Sequence, residues 1–174
     1  MKTFITSTAL VISFIIVNIS AGQIANQDES KTAEEVVRQI YDLVTFRAGE
    51  RPDWEKVKSL FDESAVVVLR TSRIQHSIFT VDGFVQDFVN FIVQAKCDET
   101  GFTEKVVNVK SVVFNDIAHC FVVYEAHIPG RPNPPQQGLD SFQLIKKDGE
   151  WKIISIINEL PKRGESMPEY FLNQ

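Results

Sequence analysis

The sequence is poor in cysteine and histidine and has no basic cluster. Two cysteines, Cys97 and Cys120, and three histidines, His76, His119 and His127, are spread over 174 residues. The histidines do not have the ligand spacing of a metal site among themselves. There is no phosphate-cradling glycine loop, no G-x-S-x-G elbow and no cysteine–histidine pair that can be placed together. The formal charge is −5, and without a Lys/Arg cluster the electrostatic footprint of nucleic-acid binding is missing. Internal repeats and low-complexity segments are also lacking. These absences lead us to expect no metal, no cofactor and no nucleic-acid partner.

The sequence has one prominent apolar run, and it lies at the N-terminus. Lys2 gives a short positive n-region, Ala9 to Val17 is an apolar h-region, and Ser20-Ala21-Gly22 supplies small residues for cleavage. The run is too short for a comfortable membrane span. Residues 1–22 therefore read as a signal peptide, with an uncleaved anchor as the alternative. No cysteine follows the h-region, which argues against a lipoprotein anchor. An exported chain, periplasmic or secreted, is expected, with no stable membrane span once the segment is removed. Residues 23–31 are polar and read as a flexible leader.

The remainder is long enough for one domain. A chain of about 150 residues buries about 70% of its unfolded surface and needs no staples. Hydrophobic residues make up 44% and charged residues 24%, a globular balance. An exported protein could use a disulfide, but the pattern predicts none within the chain. An Asn115-Asp116 turn pairs Phe114 with Ile117 and hence Ser111 with Cys120. Cys97 precedes Phe102, at the far end of that strand, about 30 Å away at the rise of a β-strand. A bridge requires Cα atoms within about 7 Å. Two free thiols are expected, Cys120 as a buried small hydrophobe, while an intermolecular bridge through Cys97 stays open.

Taken in order, Thr32-Ala33-Glu34-Glu35 is a capping box, and Val36, Val37, Ile40, Leu43 and Val44 recur at helical spacing. This predicts a first helix ending near Phe46. Pro52-Asp53 opens a short second helix through Trp54, Val57, Leu60 and Phe61. Ala65 to Leu69 is β-branched and reads as a strand, with Arg73–Thr80 as its weaker hairpin partner. Thr80 caps a third helix carrying Phe84, Val85, Phe88 and Ile92, ending about Lys96. Four long antiparallel strands follow: Phe102–Phe114, Ala118–Ile128, Leu139–Lys146 and Trp151–Asn158. The loop Pro129–Gly138 holds four prolines, which cannot donate to a sheet ladder. It reads as a lid or as a stiff connection. Helices segregated to one face of an antiparallel sheet define an α+β domain, here spanning 32–160 with a C-terminal tail at 161–174.

The stretches AEEVVRQIYDLV, DWEKVKSLFDESAVVV and GLDSFQLIKKDGEWKIISIINE resemble the nuclear-transport-factor-2-like superfamily, in its SnoaL-like or ketosteroid-isomerase-like branch. The resemblance covers about Thr32 to Leu160. It implies a cone-shaped, cystatin-like curved sheet wrapped around helices, with an apolar pocket at the open end. It does not imply one function, because the superfamily holds isomerases, dehydratases, cyclases and non-enzymatic binding modules.

Alternation assigns side chains to the two faces. Reading Lys147-Asp148-Gly149 as a three-residue loop, one face carries Asp140, Phe142, Leu144, Ile154, Ile156 and Asn158. The other carries Gln143, Ile145, Trp151, Ile153 and Ile157. On the preceding strand Cys120, Val122, Tyr124 and Ala126 share one face, and His119, Phe121, Val123, Glu125 and His127 the other. The resemblance implies that Asp140 corresponds to the inward aspartate of ketosteroid isomerases, and that Tyr41 or Ile40 stands at their tyrosine. It places Leu69 at their proton-shuttling base, where no proton can be moved, so steroid isomerisation is not expected.

The expected site is thus an apolar pocket suited to a small, mostly hydrophobic ligand. Asp140 and Tyr124 are its candidate catalytic residues, and Tyr41, Arg70, His76, Phe142 and Asn158 its candidate ligand contacts. Three functions are consistent with it: a binding domain without catalysis, a lyase, isomerase or cyclase using Asp140 and Tyr124, and a protein-interaction module using the outer sheet face. Phe121, Val123, Ile145, Trp151, Ile153 and Ile157 would form a broad apolar patch on that face. Monomers rarely expose such a patch, so a homodimer packed sheet to sheet is expected, unless the tail with Tyr170-Phe171-Leu172 covers it.

Overall fold

The computed structural model describes residues 31–70 and 74–173. The expected signal peptide at 1–22 and residues 23–30 of the expected leader lie outside them. Helix α1 (Ala33–Val44) starts at the expected capping box: Thr32 Oγ1 accepts from the Glu35 N–H, and Glu35 accepts from the Thr32 N–H at 2.7 Å. Its apolar side, Val36, Val37, Ile40, Tyr41 and Val44, is buried. A two-residue strand β1 (Phe46–Arg47) and helix α2 (Trp54–Ser59) follow. The second helix stops two residues sooner than the apolar spacing suggested, because Phe61 begins strand β2 (Phe61–Arg70). Strand β3 (His76–Phe79) is shorter than expected. Helix α3 (Val81–Gln94) is capped by Thr80, and a single turn α4 (Cys97–Thr100), not foreseen, leads into the long strands.

Those strands are β4 (Gly101–Phe114), β5 (Ile117–His127), β6 (Gln136–Lys147) and β7 (Glu150–Glu159). The sheet order is β1-β4-β5-β6-β7-β2-β3, open at β1 and β3. All neighbours are antiparallel except β2 and β7, which run parallel. Asn115, in the left-handed region, turns β4 into β5 and pairs Phe114 with Ile117 and Ser111 with Cys120, as the turn chemistry implied. Both cysteines are free and buried. The protein is a mixed α+β fold with helices on the inner face of a curved, unclosed sheet. Bulges in β4, between Val106 and Asn108, and in β7 add the bend a cone needs.

The β6–β7 hairpin corrects the expected register. Asp148 and Gly149 both have positive φ, 53° and 87°, and form a two-residue turn pairing Lys147 with Glu150. Such a turn matches the right-handed twist of its strands. The extra residue sits instead in β7, between the pairs Gln143–Ser155 and Leu144–Ile153. Ile154 is therefore turned out and exposed, while Trp151 and Ile153, expected outside, are buried with Leu144 and Val122 in the inner core. Beyond the bulge the expected faces hold, with Phe142 and Ile156 inside and Ile157 outside.

The tail crosses the outer face. Phe171, in helix α5 (Glu169–Leu172), packs on Phe121 with ring centroids 5.4 Å apart, and its carbonyl accepts from Asn108 Nδ2 at 2.8 Å. Tyr170 lies under Lys110 Nζ at 4.2 Å. Val123 and Met167 are buried there. The tail covers only part of this face: Val112, Phe114, Ile117 and Ile145 stay exposed.

Candidate functional site

A cavity of about 250 Å³ lies inside the cone, between α1, α3 and the inner face of the sheet. Apolar walls come from Ile40, Val44, Val67, Leu69, Phe84, Phe88 and Ile156. Alternation along β5 and β6 brings Tyr124 and Asp140 inward, and α1 lays Tyr41 across them. The Tyr41 hydroxyl donates to Asp140 Oδ2 at 2.7 Å. Asn158 Nδ2 donates to Asp140 Oδ1 at 2.7 Å and to the Tyr124 hydroxyl oxygen at 2.8 Å. Asp140 and Tyr124 are thus linked through Asn158. The rings of Tyr41 and Tyr124 are 5.8 Å apart, and those of Tyr41 and Phe142 6.2 Å.

Gly138 makes this arrangement fit. It stands opposite Tyr124 in the β5–β6 ladder, and a Cβ at Gly138 would come within 2.3 Å of the Tyr124 Cζ and hydroxyl oxygen. No side chain can occupy that place while Tyr124 keeps its position.

The electrostatics follow from enclosure. Asp140 is part-buried, and loss of water pushes its carboxyl up to about 6, although the Tyr41 and Asn158 hydrogen bonds pull the other way. Tyr124 and Tyr41 are raised well above a free phenol, first by burial and then by the nearby Asp140 charge, so both keep their protons.

Glu104 is the residue that sequence reasoning missed. It lines the cavity from β4, and burial, reinforced by Asp140, pushes its carboxyl up to about 8. Its side chain keeps some surface open towards the cavity. Thr45, just past α1, fixes its backbone: the Glu104 N–H donates to Thr45 Oγ1 at 2.9 Å, and Thr45 Oγ1 donates to the Glu104 carbonyl at 3.1 Å. Strand alternation carried the signal, since Glu104 shares a face with Phe102 and Val106.

Of the other sequence-derived candidates, Tyr41, Phe142 and Asn158 line the cavity, and Arg70 stands at its rim, where Nη2 donates to Glu159 at 2.5 Å. His76 does not. It is exposed on the edge strand β3, in a surface hollow with Ile74, Gln75 and Ser77. Leu69 lines the cavity, so the position assigned to a base holds an aliphatic wall. Among the described residues no three His, Cys, Asp or Glu side chains are grouped to hold a metal ion.

A second hollow, of about 480 Å³, shares Leu69, Phe88, Glu104, Ala126 and Gln136 with the cavity and continues it towards the proline-rich loop. Arg131 ties that loop to the end of α3 through the Ala95 carbonyl at 2.6 Å. Glu104 therefore stands between vestibule and cavity.

The arrangement of curved sheet and helices has counterparts among solved structures. An NTF2-like protein from Pseudomonas putida superposes with a TM-score of 0.57 at 12% identity, over 74% of this chain and 83% of that one. A proposed scytalone dehydratase from Novosphingobium aromaticivorans gives 0.55 at 16% identity, over 74% and 81%. A proposed association domain of calcium/calmodulin-dependent protein kinase type II from Thiobacillus denitrificans gives 0.58 at 10% identity, over 76% and 98%. The fold is NTF2-like. No family model and no curated protein matches the sequence. At these identities the likeness concerns the NTF2-like fold alone, and the reading of the site rests on its own residues.

Proposed function

We propose that this NTF2-like domain binds a small, mostly hydrophobic molecule in its cone, with the polar end of the ligand at the Asp140–Asn158–Tyr124 network. One observation carries this reading: a preorganised polar network lies on the wall of a largely apolar space of about 250 Å³. Apolar walls with a few placed polar groups are the usual make-up of a small-molecule site. An apolar cavity of about 150 Å³ can hold benzene, so this one suits a substituted single ring or a molecule slightly larger. Native mass spectrometry of protein taken from its source tests the reading. A bound small molecule, lost when Leu69→Trp fills the cavity, is the expected result. A wild-type protein that carries nothing and takes up no aromatic probe would sink it.

A second reading, a lyase, isomerase or cyclase acting on a hydrophobic carbonyl or polyol, is favoured by the protonation states. Asp140, held near neutrality, would accept a proton, and the Tyr124 O–H, kept protonated by burial, would donate to the oxygen that gains charge. An NMR titration placing Asp140 at the value of a free aspartate removes this reading.

We also propose export, which rests on the n-, h- and cleavage regions of residues 1–22. For the outer face we propose pairing with a second copy through the strip that the tail leaves bare, where Phe114 lies opposite Ile117 and Ile117 opposite Ile145. Light scattering of the mature chain distinguishes the outcomes. A dimer supports the pairing, while a stable monomer that captures a different protein through this strip favours an interaction module.

A further inference from the structure

We propose that the cavity's ligand carries an amine and that Glu104 is the carboxylate that pairs with it; this rests on the cavity-binding reading above. The first ground is an accessible acceptor on the cavity wall. Asp140 accepts on both oxygens, from Tyr41 and Asn158. The Glu104 carboxyl has no hydrogen-bond or ion-pair partner among the described residues, although its backbone is fixed at both N–H and C=O by Thr45. The carboxyl is part-buried and keeps accessible surface, so a donor that reaches it would form a strong, charge-assisted hydrogen bond. Glu104 faces the space a ligand would occupy, so a ligand is placed to supply the missing donor.

The second ground is charge balance. The cavity wall holds two carboxyl groups, Asp140 and Glu104, and one cation, Arg70, which Glu159 already engages at the rim. In the vestibule Arg131 is bonded to the Ala95 carbonyl, beside Asp87 and His127. A ligand carboxylate or phosphate would enter the cavity against two acids, and the one cation among the described residues lining it, Arg70, is already paired. An ammonium would let both carboxyls ionise together. The third ground is the wall itself. Tyr41, Tyr124, Phe84 and Phe88 offer aromatic rings around the space, and ring faces attract cations, most strongly when dry.

The proton balance is simple. A ligand arriving as the free amine takes the proton from the Glu104 carboxylic acid. A ligand arriving as ammonium displaces that proton to water. The bound state is the same carboxylate–ammonium pair in both cases, and nothing is oxidised or reduced.

Three probes of matched shape decide the matter: 2-phenylethylamine, 2-phenylethanol and 3-phenylpropionate, titrated calorimetrically into the mature protein near neutral pH. The amine is expected to bind at least about tenfold tighter than the alcohol, the step that one strong interaction supplies, and the carboxylate weakest. Glu104→Gln, nearly isosteric, should abolish the preference for the amine over the alcohol, with folding checked by circular dichroism. Asp140→Asn should keep the preference. Equal binding of amine and alcohol by wild type, tightest binding of the carboxylate, or a preference that survives Glu104→Gln overturns the amine assignment while the cavity reading stands. Failure of all three probes to bind at millimolar concentration overturns both. The wild-type comparison decides even where a variant does not fold.

Discussion

The Tyr41 hydroxyl and Asp140 Oδ2, 99 residues apart in sequence, meet at 2.7 Å and join helix α1 to the middle of the sheet. This bond does two things. It satisfies a phenol that burial would otherwise leave without a partner, and it favours the ionised form of Asp140 against the desolvation that raises it. Tyr41→Phe removes the donor and keeps the ring in its contacts with Tyr124 and Phe142. The Asp140 carboxyl should then titrate above its present value of about 6. A hydrogen bond to a charged group contributes about 1.5–3 kcal/mol, so unfolding at neutral pH should become easier by roughly that amount. NMR titration and urea denaturation check the two halves separately.

The acid pair sets a pH dependence with a definite sign. Glu104 is raised to about 8 and Asp140 to about 6, from ordinary values of 4.5 and 3.8. Below the ordinary values both states hold their protons and neither group affects stability. As pH climbs from there, the unfolded chain ionises first, so stability falls until the folded values are passed. The protein should be more stable near pH 5 than near pH 8.5. Each unit of raised pKa corresponds to about 1.4 kcal/mol. Because Glu104 keeps some open surface, its share is on the order of 2 kcal/mol. Glu104→Gln should recover that amount at pH 8.5 and change little at pH 4, as read from unfolding midpoints at the two pH values.

Much of the fold was legible because its signals are local. The Thr32 capping box, the Asn115-Asp116 turn and the alternation through Tyr124 each depend on a few neighbouring residues, and each fixed a stretch of structure correctly. The β7 register was not legible, because Trp151, Ile153, Ile154, Ile156 and Ile157 put apolar side chains on either face whichever way the strand is slipped. A bulge leaves no trace in such a pattern. Glu104 was hidden for another reason. It lies between Thr103 and Lys105, where one more polar residue attracts no notice, and its enclosure arises from Thr45 and Asp140, which are distant in sequence.

Gly138 gives a steric prediction. A methyl group there would overlap the Tyr124 ring end at 2.3 Å, so the ring would have to swing into the cavity it lines. Gly138→Ala should displace Tyr124 from Asn158 and cost about 1–3 kcal/mol, the usual range for overpacking. Ligand uptake should fall with it. Gly130→Ala, in the loop that precedes β6, is the control, since a Cβ there meets nothing within 4 Å. Its φ of +81° makes it strained, but it should leave the site itself intact, so a loss of ligand uptake confined to Gly138→Ala marks the steric effect.

The β7 bulge separates two isoleucines four residues apart, and this is where the corrected register is most exposed to test. Ile153 has 0% of its surface open and touches the core residues on the inner face, while Ile157 is 52% open on the outer face. Truncating the first leaves a cavity that the surrounding strands cannot close, so Ile153→Ala should lose about 2–5 kcal/mol. Ile157→Ala removes atoms that already meet water, and surface changes of that kind stay within about 0.5 kcal/mol. The unbulged register places both side chains on one face and would give them comparable losses. Paired urea titrations of the two variants read the difference directly, and near-equal losses would return Ile153 to the outer surface.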